Sequence, residues 1–119
     1  MAFEPITYAS RRQPTVTIDK YARLRISSAA MRELKWAPYQ LVVCSVDVDL
    51  KRVGLARQEL AKVPNASPAK IDKRGYVSGL GRGIADKLAL DLKNAPFTFE
   101  YAGPVDEPGV RWYAFDLAE

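Results

Sequence analysis

From Pro14 onward the chain alternates apolar and polar residues at period two, the signature of half-buried strands. Val16 and Ile18 point one way and Thr15 and Thr17 the other. After a turn at Asp19-Lys20, Ala22, Leu24 and Ile26 alternate with Tyr21, Arg23 and Arg25. The pattern predicts a tight hairpin, aliphatic on one face and basic on the other. Ser27-Ser28 supplies an N-cap for a short helix, AAMRELKW, with Met31 and Leu34 on its core side, and Ala37-Pro38 ends it. A long alternating run follows, with Val42, Cys44, Val46, Val48 and Leu50 on one face and Ser45, Asp47 and Asp49 on the other. Lys51-Arg52 turns it, and VGLAR returns as its partner strand.

Residues 58–69 carry two prolines, Asn65 and Ser67, and read as a linker. Behind it the same order restarts. Ile71 to Val77 predicts strand, turn and strand; SGLGRG is a flexible junction; IADKLALDL is a helix with Ile84, Leu88 and Leu92 along one stripe. FTFEYAG and VRWYAFDL then form a last hairpin across the turn-rich PVDEPG, with Phe97, Phe99 and Tyr101 on its buried face. Residues 1–13 stand outside this pattern as a flexible arm closed by Pro14.

The restart is also textual, because TIDKYARL at residues 17–24 is echoed by KIDKRGYV at residues 70–77. Each half therefore reads as ββαββ, at a period of about 53 residues. The fold class expected is mainly β with short helices, built from residues 14–57 and 70–119. Neither half offers enough apolar surface to close a core alone. The halves interlock, or each pairs with a half from another chain.

Composition narrows the chemistry. With 48% hydrophobic and 27% charged residues the chain falls in the globular class and outside the disordered one. No run approaches the roughly 18 apolar residues that span a bilayer, and the start has no leader-like pattern, so a soluble cytoplasmic protein with no membrane partner is expected. There is no histidine and one cysteine, Cys44. Ser-His-Asp and Cys-His catalysis, His-ligated zinc and Cys-rich zinc sites are excluded for want of their parts. Cys44, inside LVVCSV, reads as a small buried hydrophobe. Asp19 and Asp72 read as turn formers, so neither an enzyme nor a cofactor is expected.

The net charge is +4, unevenly placed. Residues 5–32 hold Arg11, Arg12, Lys20, Arg23, Arg25 and Arg32 against Asp19 alone, whereas residues 99–119 hold five carboxylates against Arg111. A basic N-terminal region points to a polyanion-facing surface.

Residues Val16 to Arg57 resemble the swapped-hairpin module of the AbrB, SpoVT and MazE proteins. The resemblance lies in Asp19, Lys20, Arg23, Leu24, Ile26, Arg32, Leu34, Pro38 and the strand from Leu41. Ala22 stands where that family often has Gly, Ser27 where it has Pro, and Tyr39 where a turn Gly is usual. The second half is similar more loosely: IDKRGYV keeps the turn and Gly75, with Tyr76 in the place of the Arg. Two such modules in one chain resemble the arrangement of the MraZ proteins. The resemblance implies an intertwined swapped-hairpin β-barrel whose basic hairpins contact DNA, in a family of transcriptional regulators and antitoxins that self-associates as dimers or larger rings.

Arginine suits that task, since its fork of N–H groups meets both phosphates and base edges. Arg23 and Arg25, two apart on a strand, share a face, with Lys20 at the hairpin tip. Arg32 lies on the short helix. Lys70, Lys73 and Arg74 take the related position in the second half, Arg82 lies in the glycine-rich junction, and Arg11 and Arg12 on the arm add phosphate or minor-groove contacts. The competing reading makes Arg23 and Arg25 surface charges or partners of Asp47 and Asp49. A phosphate cradle at Gly79 to Gly83 is weaker than a hinge there, because the dinucleotide and P-loop spacings are missing. A second function, binding of a toxin or host protein, would use the aromatic and acidic C-terminal hairpin with Trp112 and Tyr113.

Overall fold

A computed structural model describes residue 3, residues 13–61 and residues 66–118. The elements in chain order are β1 (Thr15–Ile18), β2 (Leu24–Ile26), α1 (Ser28–Leu34), β3 (Leu41–Asp47), β4 (Arg52–Arg57), β5 (Ala69–Lys70), β6 (Tyr76–Val77), α2 (Leu80–Lys87), β7 (Phe97–Glu107) and β8 (Val110–Leu117). Single 3-10 turns lie at Gln58–Leu60 and Leu92–Asn94.

All eight strands join one antiparallel sheet in the order β5-β3-β4-β8-β7-β1-β2-β6. A bridge between Ile71 and Val77 links the two ends, so the sheet curls into a nearly closed barrel. Strands from the two halves of the chain interleave around it. The pairing scheme has an internal regularity: exchanging β1 with β5, β2 with β6, β3 with β7 and β4 with β8 turns every pairing into another that is present. Of the two routes to a closed core, the chain takes the first. Its halves interlock within one molecule.

The core follows from the period-two pattern. Val16, Ile18, Leu24, Val53, Leu55, Ile71, Phe99 and Phe115 point inward and are fully buried. Both isoleucines of the repeated Ile-Asp-Lys tripeptide are among them. No described polar or charged residue is buried as a whole; Arg57 Nε, at the end of β4, is a buried polar atom without a hydrogen-bond partner. Two short helices cover the barrel. Ser27 caps α1 by accepting from the Ala30 N–H at 3.0 Å, and its hydroxyl also accepts from the Thr15 N–H at 3.0 Å, tying the helix start to β1. Ala30 is the buried residue of this helix; Met31 and Leu34 pack against the core while half-buried. Cys44 lies against the core too, and burial pushes its thiol up to about 12, which keeps it protonated and unreactive at neutral pH.

Three expected boundaries move. β3 ends at Asp47, whose carboxylate accepts from the Leu50 N–H at 3.2 Å, so Val48 and Leu50 are exposed on a turn instead of extending the inward face. Helix α2 begins at Leu80, inside the expected junction, and ends at Lys87, short of the expected Leu92. The glycine run is therefore mostly helical. β7 continues through Pro104 and Asp106 to Glu107, leaving only Pro108-Gly109 between it and β8.

A second, smaller cluster sits apart from the main core: Val43, Ala56, Val110 and Trp112, with Ala61 and Ala66 from either side of the chain connecting the two halves. The Trp112 indole is only 5% exposed, and its N–H donates to Glu107 at 2.9 Å.

Candidate nucleic-acid interface

The repeated tripeptide builds the same turn twice. Asp19 Oδ1 accepts from the N–H groups of Tyr21 and Arg23, both at 2.9 Å, while the Ala22 N–H donates to the Asp19 carbonyl at 2.9 Å. Asp72 Oδ1 accepts from Arg74 at 2.8 Å and Tyr76 at 2.9 Å, while the Gly75 N–H donates to the Asp72 carbonyl at 3.1 Å. Aspartate is suited to this because its short carboxylate reaches its own backbone two and four residues on. The chain then passes through the left-handed region at the same place in both turns, at Ala22 (φ 61°) and Gly75 (φ 89°).

These turns launch β2 and β6, which pair with each other. Leu24 opposes Val77, and both point inward; Arg25 opposes Tyr76 on the outer surface. The Arg23 guanidinium lies 5.1 Å from the centre of the Tyr76 ring, and that of Arg25 lies 5.9 Å from it. Arg23 also lies 5.3 Å from the Tyr21 ring, over which the Lys20 ammonium sits at 5.2 Å. Such stacking favours ordered guanidinium planes, because the ring face is the negative end of its quadrupole.

Specific acceptors hold the arginines by their Nε atoms. Arg23 Nε donates to Asp19 Oδ2 at 2.6 Å, and Arg25 Nε donates to the Arg74 carbonyl at 3.1 Å. The partner of Arg23 is thus Asp19 in its own turn, and neither Asp47 nor Asp49 takes that role. In both cases the terminal amino groups make no hydrogen bond to another described residue, so a bidentate fork faces solvent.

Around this pair lie two open clefts that share Lys73, Arg74 and Tyr76. One, of about 590 Å³, adds Arg25 and, from α1, Ser28, Met31 and Arg32. The other, of about 510 Å³, adds Arg23, Tyr39, Asp72 and Ser78. The structure therefore brings Arg23, Arg25, Arg32, Lys73 and Arg74 to one outer surface, with Lys20 beside them through Tyr21. It does not bring all the candidates there. Lys70 is exposed on β5 opposite Leu41, and Arg82 is exposed in the first turn of α2; neither lines these two clefts. Arg11 and Arg12 lie outside the described residues.

Three side chains of this surface were absent from the candidate set: Tyr21 (66% exposed), Tyr39 (62% exposed) and the half-buried Tyr76. For Tyr21 and Tyr76 the signal in the sequence was an aromatic residue at a polar position of the alternation; Tyr39 lies in a turn at φ 70°, where the sequence showed only the absence of a glycine.

Burial pushes the Asp19 carboxyl up, but hydrogen bonds from the Arg23 backbone and side chain, from the Tyr21 N–H, and the nearby Arg23 charge outweigh it and hold the group below the usual carboxylate range. A native pKa below the unfolded one stabilises the fold at pH values above the unfolded pKa, and that contribution is lost as pH falls through the native pKa. In urea titrations, Asp19→Asn is therefore expected to be slightly less stable than the parent at about pH 6 and to converge with it at strongly acid pH, below the usual carboxylate range. An equal gap at both pH values would show that Asp19 is not held by charge.

The C-terminal hairpin spends its charges internally. Asp106 pairs with Arg111 at 2.6 Å, Asp116 with Arg52 at 2.5 Å, and Glu100 accepts from Gln13 at 2.9 Å. Trp36 (6% exposed) and Phe115 are buried, and Tyr113 stands edge-on to Trp36 with ring centres 5.9 Å apart. Among the described residues no group of three or more His, Cys, Asp or Glu side chains could hold a metal ion, and no helix is long and apolar enough to cross a membrane.

No protein-family model, curated protein or solved structure matches the chain. The class defined by the fold and the surface alone is a small antiparallel barrel with an arginine-bearing outer face.

Proposed function

We propose that this protein binds duplex DNA through the face of β2, β6 and α1, and that it acts as a transcriptional regulator of prokaryotic or phage type. The observation that carries the reading is the pair of stacked arginines, Arg23 and Arg25, flanked by Arg32, Lys73 and Arg74. Two carboxylates, Asp19 and Asp72, stand among these five cations, and both accept from turn N–H groups. The face thus keeps a positive excess where phosphates can reach it.

The architecture supports the same reading. We interpret the barrel as two ββαββ modules, residues 14–57 and 70–119, interlocked as in swapped-hairpin proteins of the AbrB type. The exchange regularity of the strand pairings and the twice-built Asp turn favour this interpretation. In it the paired basic hairpins stand side by side on one surface. A second copy is not required to close the core, so one chain presents the whole face.

Nothing comparable favours the protein-binding alternative. It would use Trp112 and Tyr113; the Trp112 ring is buried against Val43 and Ala56, while Tyr113 is half-buried and stands edge-on to the buried Trp36.

The test is retention of random genomic duplex fragments at about 50 and 200 mM salt, with the bound fraction sequenced. Neutralising four or five phosphates predicts a loss of roughly two to three orders of magnitude in affinity over that range. Retention that ignores salt, or none at the lower concentration, sinks the proposal.

A further inference from the structure

The two hairpins of the basic face are built alike and carry unlike side chains. Leu24 opposes Val77, which is its own counterpart in the repeat, so the axis relating the two halves passes through that pair. Around the axis, on the outer surface, Arg23 corresponds to Tyr76 and Arg25 corresponds to Ser78. A homodimer places identical side chains on both sides of its axis and reads a two-fold palindrome. This face has its pseudo-axis inside one chain. A duplex centred on it meets the guanidinium groups of Arg23 and Arg25 from the first hairpin and none at the matching positions, Tyr76 and Ser78, of the second.

We propose that the DNA site of this protein is non-palindromic, and that Tyr76 is the positioning residue that makes it so. The inference rests on the DNA-binding reading above. Tyr76 occupies the place of the missing second arginine, and its ring is the plate over which both Arg23 and Arg25 lie. It draws the two forks of the first hairpin toward the second. Lys73 and Arg74, on the second turn, line the same clefts and supply phosphate contacts on that side. One half of the site is then read at base edges and the other is held by its backbone.

Selection from a pool of random duplexes tests this with three proteins: the parent, Tyr76→Phe and Tyr76→Leu. The parent is expected to enrich a motif whose two halves differ. Tyr76→Phe keeps a ring for the guanidinium groups and is expected to enrich the same motif. Tyr76→Leu removes it, and discrimination is expected to fall roughly tenfold at the bases under Arg23 and Arg25, with a smaller loss of non-specific duplex affinity as the two side chains lose their order. A uniform loss of affinity without loss of discrimination would mark Tyr76 as merely structural and overturn the positioning role. A palindromic motif, or retention with no sequence preference, overturns the inference while leaving DNA binding standing. No retention by the parent overturns both.

Discussion

If the proposed DNA-binding face is correct, replacing Arg23 and Arg25 together with alanine is expected to lower duplex affinity by roughly 10- to 100-fold at moderate salt and to make the logarithmic salt dependence shallower by about two phosphate equivalents. The reason is geometric as much as electrostatic. Each arginine is anchored at Nε, by Asp19 in one case and by the Arg74 carbonyl in the other, and both stack on Tyr76. Their terminal amino groups therefore meet a ligand already ordered, and little side-chain entropy remains to be lost on binding. Fluorescence anisotropy with a labelled duplex at several salt concentrations reads both quantities. Arg111→Ala is the matched control, since that arginine lies on the C-terminal hairpin and gives both its Nε and a terminal amino group to Asp106. If the control weakens binding as much as the double variant does, the contact surface has been misplaced.

Gly75→Ala destabilises the fold on the order of 3 kcal/mol, a large share of the 5–15 kcal/mol that holds a typical domain together. Two effects add. Gly75 sits at φ 89°, where a Cβ carries a steric penalty of about 1–2 kcal/mol. That Cβ would also lie 2.4 Å from the Ile26 carbonyl oxygen, part of the backbone of β2 and unable to rotate aside. The same contact brings the Ile26 N–H to the Gly75 carbonyl at 2.8 Å, so the glycine is what seats the second hairpin against the first. Ala22, in the equivalent place of the first turn, shows that the conformation alone is tolerable for alanine. Close approach makes the difference. Gly83→Ala is the counter-experiment: nothing lies within 4 Å of its added Cβ, and in a helix the change gains up to about 1 kcal/mol. Thermal or urea unfolding of both variants separates them, and equal stability of Gly75→Ala and the parent would contradict the close packing of the two hairpins.

Much of this barrel is legible in the sequence wherever period two is clean. Val16 and Ile18, Leu24 and Ile26, and Phe99 announce their inward faces because a strand has only two sides. Legibility fails where an apolar residue lacks a wall to face. Val48 and Leu50 continue the alternation of β3 in text, but a carboxylate at Asp47 turns the chain before they reach the sheet. It fails again at the glycine run, which suggests a hinge and is instead the start of a helix. A Cβ on Gly81 would lie 2.1 Å from the Ala22 carbonyl oxygen, so glycine there records the closeness of α2 to the first hairpin turn. Close approach leaves no local pattern to read.

The site divides in the same way. Arginines on the outward positions of β2 are visible from alternation alone. Their arrangement depends on pairs such as Arg25 and Arg74, 49 residues apart, which only the β2 to β6 pairing brings together. Tyr76 stands out in the sequence as a departure from the repeat. Its role as the plate under two guanidinium groups appears only once the halves are interlocked.

The most direct test of the central claim is to titrate the isotope-labelled protein with a short duplex at low salt and follow backbone amide shifts residue by residue. The account predicts that the largest changes fall on residues 20–32 and 72–78, the two hairpin turns, β2, β6 and the start of α1. Changes centred on residues 103–112 of the C-terminal hairpin, or no changes at all, would contradict it.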